Sequence, residues 1–370
     1  MKRVFICILT ALLLLSCSLR CKAVGTFDSE IEQIENSISQ DASEDLENLD
    51  INGVDDVLSK GIDSGKIWDY LISLIGENSK GPLSALIVMV SILLIAGIAE
   101  SYNYSLRYTE TKDIMSVVIS LFTLSVVIAP VSEMVSSSVT VIKGASDVMT
   151  VYLPVMAGIM AFSGKAISSA GFYASAVTAA QLLSKLASSV LTPILNMILS
   201  LSVCTGISSR FSLGGITDTM SKWFKYGITF AVSIFSAILG LNGTLSASAD
   251  TVAGRAARFG LSSFIPLIGS SISEAYGALQ NSVSLLKSGV GVLVILALFV
   301  TFVPLLVKTL LWSAVLSVAK MTGEVLSVSS AVSVLHSLIQ FISALRAVLI
   351  AVMVVFIIST SIMLRIGGQS

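Results

Sequence analysis

Two arginines stand in a stretch of otherwise small and apolar residues, AGRAARFG, at positions 255 and 258. Residues three positions apart share one face of a helix, so Arg255 and Arg258 could bind lipid phosphates or helix-terminal carbonyls, or could face a pore or a partner. After Pro266 the chain carries further polar residues at roughly helical spacing. The predicted pore or partner surface consists of Arg255, Arg258, Glu274, Gln280, Asn281 and Lys287.

The chain that must position these residues has the composition of a membrane protein. Its 370 residues are 54% hydrophobic and only 12% charged, with a mean hydropathy of +0.92. Soluble globular proteins carry about twice that share of charged residues. Lipid offers backbone groups no partner, and the apolar runs lack the alternation of barrel strands. The sequence therefore predicts an all-α, polytopic transmembrane helix bundle.

The number of spans follows from apolar runs long enough to cross a bilayer, about 20 residues each. Clear runs are 83–99, 114–132, 186–207, 226–242, 289–307 and 347–364, and 148–164 is a weaker one. Counting 166–184 and 325–345 as well places more of the basic loop residues on the cytoplasmic side. We therefore expect seven to nine spans.

Residues 243–288 are predicted to form an amphipathic hairpin that lies in the membrane interface or re-enters the bilayer. One arm is rich in Ala, Ser and Gly, which allow close helix packing, and the other has a polar and an apolar side. Polar groups at membrane depth are tolerated only where protein or a wet cavity surrounds them. This requirement makes the hairpin the first candidate for a functional element.

The N-terminal 80 residues divide into two segments. In residues 1–23, Lys2 and Arg3 precede a short apolar stretch and Cys21-Lys22-Ala23, a pattern typical of a cleaved secretory signal peptide. Leu14 to Cys17 fits a lipid-attachment site less well. Residues 24–80 form a small acidic segment with fourteen acids against three lysines, which cleavage would place outside the cytoplasm. Its apolar residues recur at helical spacing, which predicts short amphipathic helices, although a solvated acidic linker fits equally well. Residues 81–370 form the transmembrane domain.

Residue types for catalysis, metals or cofactors are sparse. His336 is the single histidine, and three of the four cysteines lie in the leader while Cys204 lies in an apolar run. We therefore expect His336 to pack or to form a hydrogen bond rather than to bind a metal, and we expect no disulfide framework. Gly164-Lys165 lacks the spacing and the hydroxyl of a phosphate loop. The sequence predicts no catalytic, cofactor or metal site and no enzyme. Lys308, Lys320 and Arg346 are expected at helix ends, with their charges at the headgroups.

Three stretches carry a resemblance to a known family: VYLPVMAGIMAFSG, then SASADTVAGRAARFGLSSFIPLIGSSISEAYGALQNSVSLLKSGVGV, then FVPLLVKTLLWSAVLSV. The most specific features are Arg255, Arg258 and Phe259, the turn with Phe264, Pro266 and Gly269, and the sequence from Leu285 to Gly291. Over residues 81–370 the chain resembles the stage III sporulation protein AE family of endospore-forming bacteria.

The resemblance implies a sporulation protein in a transenvelope, secretion-like channel complex between mother cell and forespore, required for forespore development. It implies a multi-pass protein of the mother-cell membrane that surrounds the forespore. Implied partners are the ring-forming and ATPase components encoded in the stage III sporulation A operon and stage II sporulation protein Q, with homo-oligomers as a further option and with no nucleic acid. The family supplies no catalytic residues.

Two other functions fit the residues. An autonomous solute transporter would agree with Pro130, Pro154, Pro193 and Pro304, which interrupt apolar runs, but the sequence shows no convincing internal repeat. A passive scaffold would use the acidic segment to recruit partners.

Overall fold

The computed structural model describes residues 29–60, 63–106, 109–163, 165–186, 189, 192–207, 214–264 and 269–368. All the regular elements in these ranges are helices, which confirms the predicted all-α bundle. We number them in chain order. They are α1 (residues 29–37), α2 (Gln40–Asn48), α3 (Val54–Lys60), α4 (Ser64–Leu106), α5 (Thr109–Phe162), α6 (Ala166–Leu186), α7 (Thr192–Ile207), α8 (Gly214–Phe264), α9 (Gly269–Val325) and α10 (Ser329–Gly368).

The acidic segment folds into α1–α3 and packs on the bundle, so the alternative of a solvated linker does not hold for its described residues. Ile34, Leu46 and Val54 are among its buried apolar residues, and α2 and α3 both contact α9. The Ser39 hydroxyl caps α2 by accepting a hydrogen bond from the Ala42 amide. The apolar residues at helical spacing thus face the core, and most of the acids remain exposed.

Long antiparallel helices form the centre of the molecule. The turn between α9 and α10 is a Schellman motif, in which the Val328 amide bonds the Gly323 carbonyl and the Ser327 amide bonds the Glu324 carbonyl. Ser327 has φ of 60°, a left-handed conformation that glycine usually supplies at this position. This tight turn lets α10 return directly along α9, and the two helices contact one another along their length.

Contacts with α9 and α10 define two ends of the bundle. At one end, which we call the acidic end, Gly289 lies against Val54 of α3 and Gly291 lies against Leu364. At the other, the turn end, Gly97 of α4 lies against Leu326. Helix α4 therefore runs in the same direction as α9, from the acidic end towards the turn end.

Helix α5 runs in the opposite direction to α4. Its Glu133 pairs with Lys308 near the middle of α9, and its Met149 contacts Thr360 near the acidic end. Its N-terminal part therefore points towards the turn end. Residues 285–325 of α9 alone extend about 60 Å at 1.5 Å per residue, twice the roughly 30 Å of a hydrocarbon core.

Five helices in the described residues are long and apolar enough to cross a membrane, judged by length and composition. The predicted spans 114–132 and 148–164 share the single helix α5, and 325–345 and 347–364 fall largely on α10. The expected count of seven to nine spans is therefore not confirmed. Pro130, Pro154 and Pro304 lie within continuous helices, because one missing hydrogen bond does not end a helix held by its neighbours.

The predicted hairpin is not a separate element. Its first arm is the end of α8 and its second arm is the start of α9, and each helix continues without a break into the neighbouring apolar segment. Residues 265–268 between the arms and the predicted signal peptide, residues 1–23, lie outside the described residues.

Candidate functional site

A set of polar side chains lies between α7, α8 and α10 in the half of the bundle nearer the turn end. Its first contact joins Asp218 of α8 to His336 of α10, with 3.0 Å between Oδ2 and Nε2. Asp218 and His336 are 28% and 36% exposed, so this pair is partly enclosed by protein. Ionisable residues in apolar helices are rare and usually mark a functional position, because they are costly there without a partner.

The second contact lies about two turns further along both helices. Lys225 Nζ donates to Gln340 Oε1 at 3.3 Å and to Ser343 Oγ at 2.8 Å. Positions 218 and 225 of α8, and 336, 340 and 343 of α10, share one helix face each because they are three, four or seven apart. We call the group Asp218, Ser221, Lys225, His336, Gln340 and Ser343, together with Ser337, which follows His336 in the chain, the polar seam.

Three buried oxygens in the polar seam have no hydrogen-bond partner among the described residues: Asp218 Oδ1, Ser221 Oγ and Ser337 Oγ. A buried polar group without a partner costs about 1–3 kcal/mol. Native proteins rarely keep such groups unless water or a ligand satisfies them. The seam therefore has the chemistry to hold water or a small polar solute between helices that are otherwise apolar.

An open cleft of about 600 Å³ leads to the seam from the turn end. His336 lines the cleft and belongs to the seam, so the two are adjacent at this residue. Six of its eight lining residues are polar or charged, although most of the surface that they present is apolar, and Lys320 and Glu324 form an ion pair there at 3.4 Å. The residues that line it are Lys320, Gly323, Glu324, Ser327, Ser329, Val332, Ser333 and His336.

A second charged cluster lies at the acidic end and is satisfied within the protein. The Asp250 carboxylate of α8 accepts hydrogen bonds from the Ile167 and Ser168 amides at 3.0 and 2.7 Å, and so caps the start of α6. Burial lowers the pKa of the neighbouring Lys165, an effect that the Asp250 charge opposes. This cluster joins α8 to α6 and is structural in geometry.

Lys287 is the one member of the predicted pore or partner surface whose side chain the structure describes. It is only 2% exposed, and its Nζ donates to the Leu364 carbonyl of α10 at 3.1 Å. A cation near the end of α10 is stabilised by the helix dipole. This placement gives Lys287 a partner inside the bundle.

The other five members stay a prediction. Arg255 and Arg258 lie on α8, and Glu274, Gln280 and Asn281 lie on α9, but their side chains are outside the described part of the chain.

The polar seam was not predicted from the sequence. His336 was expected to form a hydrogen bond rather than bind a metal, and its contact with Asp218 agrees with that, but the two residues are 118 positions apart. The signal that could have indicated the seam is helical spacing, which puts Asp218 with Lys225 on one face and His336 with Gln340 on another. What sequence spacing does not reveal is that α8 and α10 are neighbours.

The expectation that Lys308, Lys320 and Arg346 lie at helix ends is wrong. Lys308 and Lys320 lie within α9 and Arg346 lies within α10, because each helix extends beyond the apolar run that predicted it. Lys308 pairs with Glu133 at 2.8 Å. No group of His, Cys, Asp or Glu suited to a metal ion occurs among the residues that the structure describes.

The model of one family, stage III sporulation protein AE, matches residues 54–367. Comparison with known proteins finds no match among curated proteins and none among solved structures. The family match begins at α3 and covers the polar seam and every long helix. The chain therefore belongs to the stage III sporulation protein AE family, and its long apolar helices indicate a multi-pass membrane protein of sporulation.

Proposed function

We propose that this protein is the membrane-embedded component of a transenvelope, secretion-like channel complex that joins mother cell and forespore and sustains forespore development. Its polar seam forms part of the path that the complex opens through the mother-cell membrane around the forespore. The observation that supports this proposal is the polar seam itself, with buried oxygens that have no protein partner in the described structure.

The geometry suits passage better than tight binding of one solute. From His336 to Ser343 the groups follow one another at single-turn intervals, over about 10 Å of helix. A hydrated solute could therefore exchange one partner for the next without losing all of its hydrogen bonds. The Asp218–His336 and Lys225–Gln340 contacts also hold α8 against α10, so movement of α8 away from α10 would widen the seam.

Partner proteins complete the path in this proposal. The folded acidic helices α1–α3 give the chain a rigid anionic surface on the extracytoplasmic side, where ring-forming proteins of the stage III sporulation A operon and stage II sporulation protein Q would dock. The ATPase of the same operon would act from the cytoplasmic side. Copies of this chain would assemble around the path. We propose no catalysis by the chain itself, since the seam presents donors and acceptors but no nucleophile held beside a base.

A second candidate function is autonomous solute transport, which the position of the cleft next to the polar seam favours. Reconstitution separates the two. The purified protein is placed in liposomes that hold potassium ions and a small hydrophilic dye, alone and together with the other proteins of the operon. Leakage only in the presence of the partners supports the channel component, and solute flux through the protein alone supports the transporter.

The Lys225→Met variant ties either activity to the seam, with Lys308→Met as its matched control on α9. The proposal requires that Lys225→Met changes the flux and that Lys308→Met leaves it unchanged. If neither variant alters a flux that the complex supports, the path lies elsewhere.

A further inference from the structure

The exposed face of α5 changes its chemistry part of the way along the helix. Before Glu133 the large exposed residues are apolar, with Ile114 at 66%, Leu121 at 47% and Phe122 at 58%, and only the small residues Ser125, Ala129 and Ser132 are exposed between them and Glu133. From Glu133 onwards the same face carries Ser136, Thr140, Lys143, Asp147 and Thr150, all exposed. An exposed apolar face fits hydrocarbon, and an exposed face of hydroxyls and charges fits water.

Helix α4 changes in the same sense from the acidic end to the turn end. Its first part exposes Asp69, Ser73 and Glu77 among apolar residues, whereas its last part exposes Ile87, Ile95 and Ile98 at 69%, 69% and 73%. Since α4 and α5 run in opposite directions, the apolar parts of both lie in the half nearer the turn end.

Helix α9 supports the same division through burial. In 289–307, the more apolar half, Val290, Val294 and Phe302 are all fully buried by protein. In the half nearer the turn end, Leu310 and Met321 are 52% and 64% exposed. The most apolar stretch of the helix is therefore covered by the bundle, and the part beyond Lys308 is the one that offers side chains to lipid.

Charged residues mark the level at which the two halves meet. Lys308 of α9 pairs with Glu133 of α5. Gly97 of α4 contacts Leu326 of α9, and these two helices are parallel. Lys80 precedes Gly97 by about as many residues as Lys308 precedes Leu326, so the two lysines lie at the same level along the bundle. Counted from the Gly291–Leu364 contact, Arg346 of α10 reaches it too. From this level to the turn end is about 27 Å, close to the roughly 30 Å of a hydrocarbon core.

We propose that, on the α4 and α5 side of the bundle, hydrocarbon contacts the protein only between this charged level and the turn end, and that on this side the half at the acidic end stands outside the bilayer. Trp223 and Tyr226 of α8, 73% and 71% exposed, then lie close to the membrane surface, where such side chains are favoured. Along α8 the exposed residues stay apolar as far as Leu241, so α8 sets no boundary of its own.

The opposite placement, with the acidic half in lipid, would bring the thirteen acids among the described residues of 29–80 to or into the hydrocarbon. This placement of the bilayer changes the role of two apolar runs that the sequence predicted as spans. The apolar runs 289–307 and 347–364 form the interior of an extramembrane helical body instead of two spans. The proposed position of the bilayer is independent of the proposed function, because it concerns only where lipid contacts the chain.

Pairs of exposed serines on α4 and α5 test where lipid contacts the bundle. Ser125 and Ser136 of α5 are both exposed, on opposite sides of Glu133, and Ser91 and Ser73 of α4 are likewise exposed on opposite sides of Lys80. Each is changed to Cys in a background with the four native cysteines replaced by Ser, and the protein is reconstituted in phosphatidylcholine and phosphatidylglycerol liposomes. A charged maleimide, admitted to both sides by freezing and thawing, reacts with thiols that contact water because they can form the thiolate.

The proposal predicts fast labelling of Ser136→Cys and Ser73→Cys without detergent, and labelling of Ser125→Cys and Ser91→Cys only after detergent is added. If all four cysteines were equally protected from the maleimide before detergent is added, both halves of the bundle would lie in lipid, and the proposal would be overturned. Fast labelling of all four would also overturn it, by showing that no lipid covers α4 and α5. Reaction of every variant in detergent shows that each thiol is on the surface of a folded protein.

Discussion

The two seam hydroxyls without partners allow structure and function to be separated. Ser221 and Ser337 are both 0% exposed, and neither Oγ has a hydrogen-bond partner among the described residues. Changing both to Ala removes two buried polar atoms and almost no volume. We expect a protein that is more stable and yet fails in sporulation.

The magnitude follows from the cost of a buried hydroxyl without a partner, about 1–3 kcal/mol. Since Ser221→Ala and Ser337→Ala break no hydrogen bond to protein, each should raise the free energy of unfolding by about 1 kcal/mol in the isolated protein, where the proposed path is closed and the seam holds no water or solute. A matched control is Ser359→Ala on α10, because the Ser359 hydroxyl is also buried without a partner but lies far from the seam. It should stabilise the protein by a similar amount.

Thermal unfolding of the purified protein in detergent measures stability, at roughly 2 °C in Tm per kcal/mol. Spore yield measures function. We expect a higher Tm for Ser221→Ala, Ser337→Ala and Ser359→Ala. We expect a lower spore yield only for the double variant in the seam. A lower Tm for the double variant would show that the hydroxyls have protein partners, and a normal spore yield with a raised Tm would show that the seam has no role in sporulation.

Three further changes test the fold. Ser327→Gly should add about 0.5–1 kcal/mol to stability because glycine adopts φ of 60° without strain, and an unchanged Tm would contradict the turn geometry. Asp250→Ala should cost about 2 kcal/mol through loss of the α6 cap, against less than about 0.5 kcal/mol for the exposed Asp147→Ala, both measured by thermal unfolding. Burial raises the pKa of Asp45, while its hydrogen bond from Tyr70 opposes this. The contribution of Asp45 is therefore greatest in acid and lost as the pH rises through its folded pKa, so Asp45→Asn should gain stability over the unchanged protein at about pH 7 and lose that gain near pH 3.

The sequence alone was sufficient to predict helices and a membrane location, because the residues that decide them are local. Uncharged runs such as 83–99 and 114–132 are long enough to span, and the spacing of Ile31, Ile34 and Ile38 predicted an amphipathic helix. In the structure Ile34 and Ile38 are buried, as that spacing requires. Local pattern thus predicted which residues face a core.

Helix length and helix neighbours were not predictable in the same way. A polar stretch such as 133–147 was taken to separate two spans, although Ser, Thr and single charges are compatible with a continuous helix when neighbours support it. The polar seam depends on α8 lying beside α10, which places Lys225 next to Ser343 from 118 residues away. Such a contact is set by tertiary packing, so it leaves no trace in the spacing along the chain.

The proposal that the polar seam is part of a path requires that water reaches the seam in the assembled complex, and this can be measured directly. Ser337→Cys and Ser359→Cys are made in the background without native cysteines and treated with a small charged methanethiosulfonate in sporulating cells during engulfment. Both positions are on α10 and are buried, but only Ser337 lies in the seam. We expect the methanethiosulfonate to modify Ser337→Cys and not Ser359→Cys. Protection of both would show that the seam stays dry and carries nothing.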